Sequence, residues 1–100
     1  MSIVDELMGR GIESALITRD GRVKEQSGKF EDAAINLSTN IVNRMAVIFE
    51  QMKDSVDEIV IETASRKIIF IPFGKEFLVA FVKTEQEKKI VREVVGANVR

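Results

Sequence analysis

Three small clusters hold the residues able to do chemistry. Gly9-Arg10-Gly11 has glycines of the kind that cradle phosphate, Asp57, Glu58 and Glu62 offer paired carboxylates, and Lys88, Lys89 and Arg92 offer a basic patch. A fourth candidate, Arg44, has the type needed to reach into a partner's active site and offset charge on a transferring phosphoryl group. Each has a plainer explanation in its own neighbourhood. Ser14 stands where G-x-G-x-x-G requires a third glycine, and the loop precedes an expected strand instead of following one, so the glycines read as a helix stop. The chain has no histidine to join or orient the carboxylates as metal ligands, so they read as a solvated strand face or as charges guarding a sheet edge. Glu85, Glu87 and Glu93 surround the basic residues, which suits i,i+4 pairing on an exposed helix.

The wider inventory narrows the chemistry further. His, Cys, Tyr and Trp are absent, which removes the commonest general base, the commonest metal ligand and both thiol roles. The expectation is a protein that is not an enzyme, with no catalytic, cofactor-binding or metal-binding residues and no cofactor. A net charge of −1 makes no electrostatic case for nucleic acid or an anionic membrane. Met1 to Glu6 lacks the basic start and apolar core of a signal peptide, and no apolar run approaches the ~20 residues of a membrane span. The absence of cysteine fits a reducing compartment. These features predict a soluble cytoplasmic protein without membrane insertion, and 100 residues predict a single domain over 1–100.

The elements that position these residues are arranged around Asp32 to Lys53, which contains neither Gly nor Pro. Ala34, Leu37, Ile41, Met45, Ile48 and Met52 recur at helical spacing, and Ile35, Ser38, Val42, Ala46 and Phe49 form a second series beside them. Together they span an apolar arc of roughly 200°, about twice the stripe of a helix with one buried face. Such a helix predicts two contacts, one to its own sheet and one to a second copy of the chain. The division expected is Leu37, Ile41, Ile48 and Met52 towards the sheet, with Ile35, Val42, Ala46 and Phe49 towards the partner.

On either side of this helix the patterns are short. Ser2-Ile3-Val4-Asp5 reads as a helix start, with Gly9 and Gly11 ending it. Ile12 to Arg19 reads as a strand, Asp20-Gly21 as a two-residue hairpin turn, and Arg22 to Gln26 as a polar edge strand. After a turn at Lys53-Asp54-Ser55, Val56 to Thr63 reads as a strand. Ala64-Ser65-Arg66 then turns the chain into Lys67 to Phe73, a strand ended by Pro72, and Phe77 to Val82 follows Gly74-Lys75. Thr84-x-x-Glu87 is a capping box for a last helix striped by Ile90, Val91, Val94 and Val95, with Gly96 as its C-cap and Asn98 to Arg100 frayed. The order is α-β-β-α-β-β-β-α, an α+β fold in which the long helix covers one sheet face and the two terminal helices cover the other.

These residues resemble the roadblock/LC7 family. The likeness runs from about Val4 to Val95 and rests on Gly11-Ile12-Glu13-Ser14-Ala15-Leu16-Ile17 leading into Thr18-Arg19-Asp20-Gly21, the long helix, and Ile69-Phe70-Ile71-Pro72-Phe73-Gly74 before Phe77-Leu78-Val79-Ala80. It implies a profilin-like five-stranded antiparallel sheet and pairing of two copies through their long helices and an edge strand. That strand is expected to be Val56 to Thr63, which adds Ile59 and Ile61 to Ile35, Val42, Ala46 and Phe49 as dimer-interface residues. The resemblance also implies a non-catalytic scaffold or regulator of a small Ras-like GTPase, and the exposed side of the long helix, bearing Asn36, Asn40, Asn43, Val47 and Glu50, is the expected docking face. The alternatives are a small-molecule sensor with a profilin- or PAS-like sheet, or a structural dimerisation module. The strands, mainly Ile, Phe, Leu and Val, offer few polar groups to converge on a ligand.

Overall fold

A computed structural model of the chain describes residues 2–28, 30–54, 57–64 and 66–98. Among these residues the elements are α1 (Ile3–Gly9), β1 (Ser14–Thr18), β2 (Val23–Gln26), α2 (Asp32–Gln51), β3 (Ile59–Glu62), β4 (Lys67–Phe73), β5 (Glu76–Val82) and α3 (Glu85–Asn98). The strands form one antiparallel sheet in the order β2-β1-β5-β4-β3. Alternation along each interior strand divides the core in two. Leu78, Ala80 and Val82 of β5 pack with α1 and α3 through Leu7, Val91 and Val94, while Phe77 and Val79 pack beneath α2 through Ile35 and Val42. This is the expected α+β arrangement, with the long helix on one face and the two terminal helices on the other. No helix is long and apolar enough to cross a membrane among the described residues.

The first helix starts and stops as its residues dictate. Ser2 Oγ accepts a hydrogen bond from Asp5 N at 3.1 Å. At the other end Gly11 adopts φ +77, which lets Gly11 N donate to Met8 O and Ile12 N to Leu7 O. These two bonds make a Schellman motif, and Leu7 and Ile12 are both fully buried in the same core.

The chain departs from expectation at four places. The β1–β2 turn has three residues, Arg19, Asp20 and Gly21, not two. Thr18 N donates to Arg22 O at 2.8 Å and Gly21 N to Thr18 O at 3.0 Å, with Gly21 at φ +93. A type I turn closed by a left-handed residue matches the strand twist as well as a two-residue turn does, and Asp20 favours it by accepting from Thr18 Oγ1 and pairing with Arg22. β4 spans the expected Lys67 to Phe73, but Pro72 is not what ends it. β3 pairs with β4 only as far as Phe70, so Pro72 faces no ladder on that side that its missing N–H could break. Gly96 is not a C-cap either: α3 passes through it to Asn98, whose Nδ2 donates to Val94 O at 2.8 Å. Finally, Ile59 is the first residue of β3. Val56, and with it the expected start of that strand, lies outside the described residues, as do Lys29, Ser55, Ser65, Val99 and Arg100 of the expected loops, turns and frayed end.

The largest correction concerns α2. Ile35 and Val42 are 6% and 4% exposed and lie against the sheet, whereas Leu37, Ile48 and Met52 are 62%, 49% and 65% exposed. The expected division is therefore reversed for most of its members: Ile35 and Val42 belong to the chain's own core, Ala46 and Phe49 are half-buried on the same side, and Leu37, Ile48 and Met52 face outward, while Ile41 is half-buried and packs against the sheet-side core as expected. Two physical causes decide the rotation. Ile35 and Val42 fill the contact with Ala15, Ile17, Phe77 and Val79 of the sheet. Polar residues then fix the angle, because Asn43 Nδ2 donates to Arg19 O at 2.9 Å across to the β1–β2 turn.

Candidate interaction surface

α2 and β3 position an apolar surface that the described residues leave uncovered. Leu37, Ile48 and Met52 are spaced eleven and four residues apart, so they share one side of α2, with half-buried Ile41 and Met45 filling the row. The opposite flank is turned to the β1–β2 hairpin. There Asn43 holds Arg19 O, and a Cβ added at Gly21 would meet Thr39 Oγ1 at 3.7 Å and Asn36 Oδ1 at 4.0 Å. The apolar row is thereby directed to the β3 side of the molecule. Among the described residues β3 is an edge strand paired with β4 alone. Its Ile59 and Ile61 are half-buried against the α2 side of the core, and Val60 packs against the other.

Four of the six residues expected at a dimer interface, Val42, Ala46, Phe49 and Ile59, line a single cleft of about 250 Å³ between the C-terminal half of α2 and the sheet. Ile61 sits one step along β3, and Ile35 is buried further up the helix. Of the expected docking residues, Asn40, Asn43 and Val47 line a shallow depression with Arg44 and Ile48, while Asn36 and Glu50 are exposed elsewhere on α2. Asn43 is already committed to Arg19 O, so it serves the fold as well as the surface.

The charged candidates disperse instead of converging. Glu58 is gripped by Arg92 of α3 at 2.7 and 3.0 Å, where sequence spacing suggested pairing within the helix. Glu62 lies 3.6 Å from Lys67, which also holds Glu85 at 2.8 Å. Lys88 does pair within α3, with Glu85 at 3.3 Å. Hydrogen bonds from Lys67 and then Lys88 hold the Glu85 carboxyl below its ordinary value, and Glu85 in turn raises Lys67. Asp57 and Arg44 are exposed. Gly9 and Gly11 end α1, as their spacing before a strand indicated.

Two clusters escaped the sequence reading. Arg19 and Asp54, thirty-five positions apart, both line the cleft under α2. Phe30 stacks on Phe81 with ring centroids 5.0 Å apart, and the Arg66 guanidinium lies 5.3 Å from the Phe81 centroid. Neither grouping leaves a spacing signal, since each joins a loop residue to a distant element.

No family model matches this chain, and no curated protein matches it. Solved structures do resemble it. A roadblock/LC7 domain from Streptomyces avermitilis is 20% identical, with 95% of this chain and 90% of that one covered and a TM-score of 0.71. MglB of Myxococcus xanthus is 12% identical over 94% and 86% of the two chains, with a TM-score of 0.79. Profilin II of Acanthamoeba castellanii is 17% identical over 94% and 91%, with a TM-score of 0.64. The chain has a roadblock/LC7-type fold on the profilin plan.

Proposed function

We propose that this roadblock/LC7-type fold serves as a non-catalytic homodimeric scaffold or regulator of a small Ras-like GTPase in the cytoplasm. The observation that carries the reading is the exposed row Leu37, Ile48 and Met52 beside the free edge of β3. Contiguous apolar surface and an unpaired strand edge both favour association in water. A second copy related by a two-fold axis covers both at once, α2 against α2 and β3 against β3, because the same patch meets itself. The interface is thus the outward row with Ile59 and Ile61 of β3, and Ile35 and Val42 stay inside each protomer.

The GTPase partner follows from the family resemblance and from the inventory of side chains. A chain without His or Cys, whose carboxylates are spread over separate ion pairs, contributes surface more readily than chemistry. The docking face is the flank of α2 with Asn36, Asn40, Val47 and Glu50, a mixture of polar groups and one exposed valine suited to a transient contact. Light scattering at micromolar concentration tests the dimer, with an expected mass twice the 11.2 kDa of one chain; a mass of one chain refutes it. Calorimetry against Ras-like GTPases from the same cell, each loaded with GDP or a GTP analogue, tests the partner, and binding to none in either state refutes it. If hydrolysis is accelerated, Arg10, Arg44 and Arg66 changed singly to Ala should each leave most of the acceleration. A supplied arginine would instead account for a loss of ~10³–10⁵ in rate.

A further inference from the structure

The cleft under α2 exists because two elements stop short of each other. Ala46 is the smallest residue on the sheet-facing side of the helix's C-terminal half, and β3 gives β4 no neighbour beyond Phe70. The opening of about 250 Å³ is walled by Val42, Ala46, Phe49, Ile59, Phe70 and Pro72. The two remaining lining residues, Arg19 and Asp54, carry opposite charges. Both are anchored through their backbones to α2: Arg19 O accepts from Asn43 Nδ2 at 2.9 Å, and Asp54 N donates to Phe49 O at 2.8 Å. The Arg19 guanidinium has no ion-pair partner among the described residues.

We propose that this cleft binds a free α-amino acid with an aliphatic or aromatic side chain. Apolar walls take the side chain, the planar guanidinium of Arg19 takes the carboxylate, and Asp54 takes the ammonium group. A carboxylate has room for several donors, so the other interaction of Asp54 leaves capacity for a ligand. A fatty acid would meet Arg19 but be repelled by Asp54, and a simple apolar amine would meet the reverse. The size agrees: the cleft is smaller than the roughly 300–1,000 Å³ of pockets for drug-sized ligands. This site goes beyond the GTPase reading and needs no partner protein.

The test is an NMR titration of the chain alone, with L-leucine and L-phenylalanine as probes. N-acetyl-leucine and leucinamide serve as controls, each lacking one charge. The expected result is saturable shifts centred on Ala46, Phe49 and Ile59, with both controls weaker by about tenfold or more. Arg19→Gln should weaken leucine by a similar factor and leave leucinamide unchanged. Ala46→Leu should fill the cleft and abolish binding; if that variant does not fold, the Arg19→Gln comparison decides. No saturable shift at millimolar ligand, shifts centred on Leu37 and Met52, or equal binding of the single-charge controls would each overturn the proposal. None of these outcomes bears on GTPase binding.

Discussion

Arg92 holds Glu58 in a two-pronged grip, Nε to Oε1 at 2.7 Å and Nη2 to Oε2 at 3.0 Å. The pair ties α3, on one face of the sheet, to the residue that leads into β3 at its edge. Fork-to-fork geometry fixes direction as well as distance, so it sets the angle at which β3 enters the sheet. Both side chains keep contact with solvent, and the pair is a positional device more than a source of stability.

Breaking it should therefore show locally. Arg92→Ala is expected to lower Tm slightly, with the difference shrinking at high salt, because the lost attraction is screened. Amide exchange in β3 should accelerate while exchange in β5 stays slow. Equal acceleration in both strands would show that the pair acts on global stability.

The orientation of α2 separates two outcomes for similar substitutions. Ile35→Ala removes a side chain buried against the sheet and should cost about 2–5 kcal/mol in denaturant unfolding. Leu37→Ala, measured at a concentration where the chain is monomeric, should fall within about 0.5 kcal/mol of the parent. Val42→Glu places an unpaired charge in the core and should yield unfolded or insoluble protein, whereas Ile48→Glu should give a folded monomer. A folded monomer from Val42→Glu would place the outward face where the sequence alone had put it.

The dependence on pH follows from three shifted groups. Asp20 is held below its ordinary 3.8 by the hydrogen bond from Thr18 and by the charge of Arg22, and Glu85 below its ordinary 4.5 by Lys67 and Lys88. Depressed carboxyl groups contribute stability that is full above these ordinary values and is lost as pH falls through the lower folded ones. Lys67 is raised above 10.5, chiefly by its hydrogen bond from the ammonium to Glu85, so its contribution is full below 10.5 and is lost as pH rises through the higher folded value. Tm should be flat between these limits and fall on both sides. Lys67→Met should soften both slopes, and unchanged slopes would show that the shifts carry no stability.

Two local signals can be tested by themselves. Gly21→Ala forces a side chain into a left-handed position and should cost about 1–3 kcal/mol. Thr84→Ala removes the acceptor for Glu87 N, 3.1 Å away, and should cost about 0.5–2 kcal/mol. The Glu87 side chain accepts from Lys83 N at 2.9 Å, one residue before the usual reciprocal partner, so Glu87→Ala should release that N–H and add a smaller loss. Urea unfolding measures all three.

Local chemistry made the element order legible in the sequence. Ser2 and Thr84 announce helix starts through side-chain oxygens that satisfy nearby N–H groups, and the doubly apolar run of Phe77 to Val82 marks a strand covered on both faces. These signals act over three to six residues, so composition and spacing contain them. The geometry at the β1–β2 turn, Pro72 and Gly96 is not legible in this way because each residue type permits more than one conformation, and the choice between them lies with a hydrogen bond or a strand edge from elsewhere. The rotation of α2 is the clearest case. Its two apolar series are nearly equivalent in sequence, and tertiary contacts, Asn43 with Arg19 and Ile35 and Val42 with the sheet, determine which series is buried. The same packing brings Arg19 and Asp54, thirty-five positions apart, to one cleft. Periodicity states that a helix is apolar on two sides, but which side faces inward is a property of the neighbours it packs against.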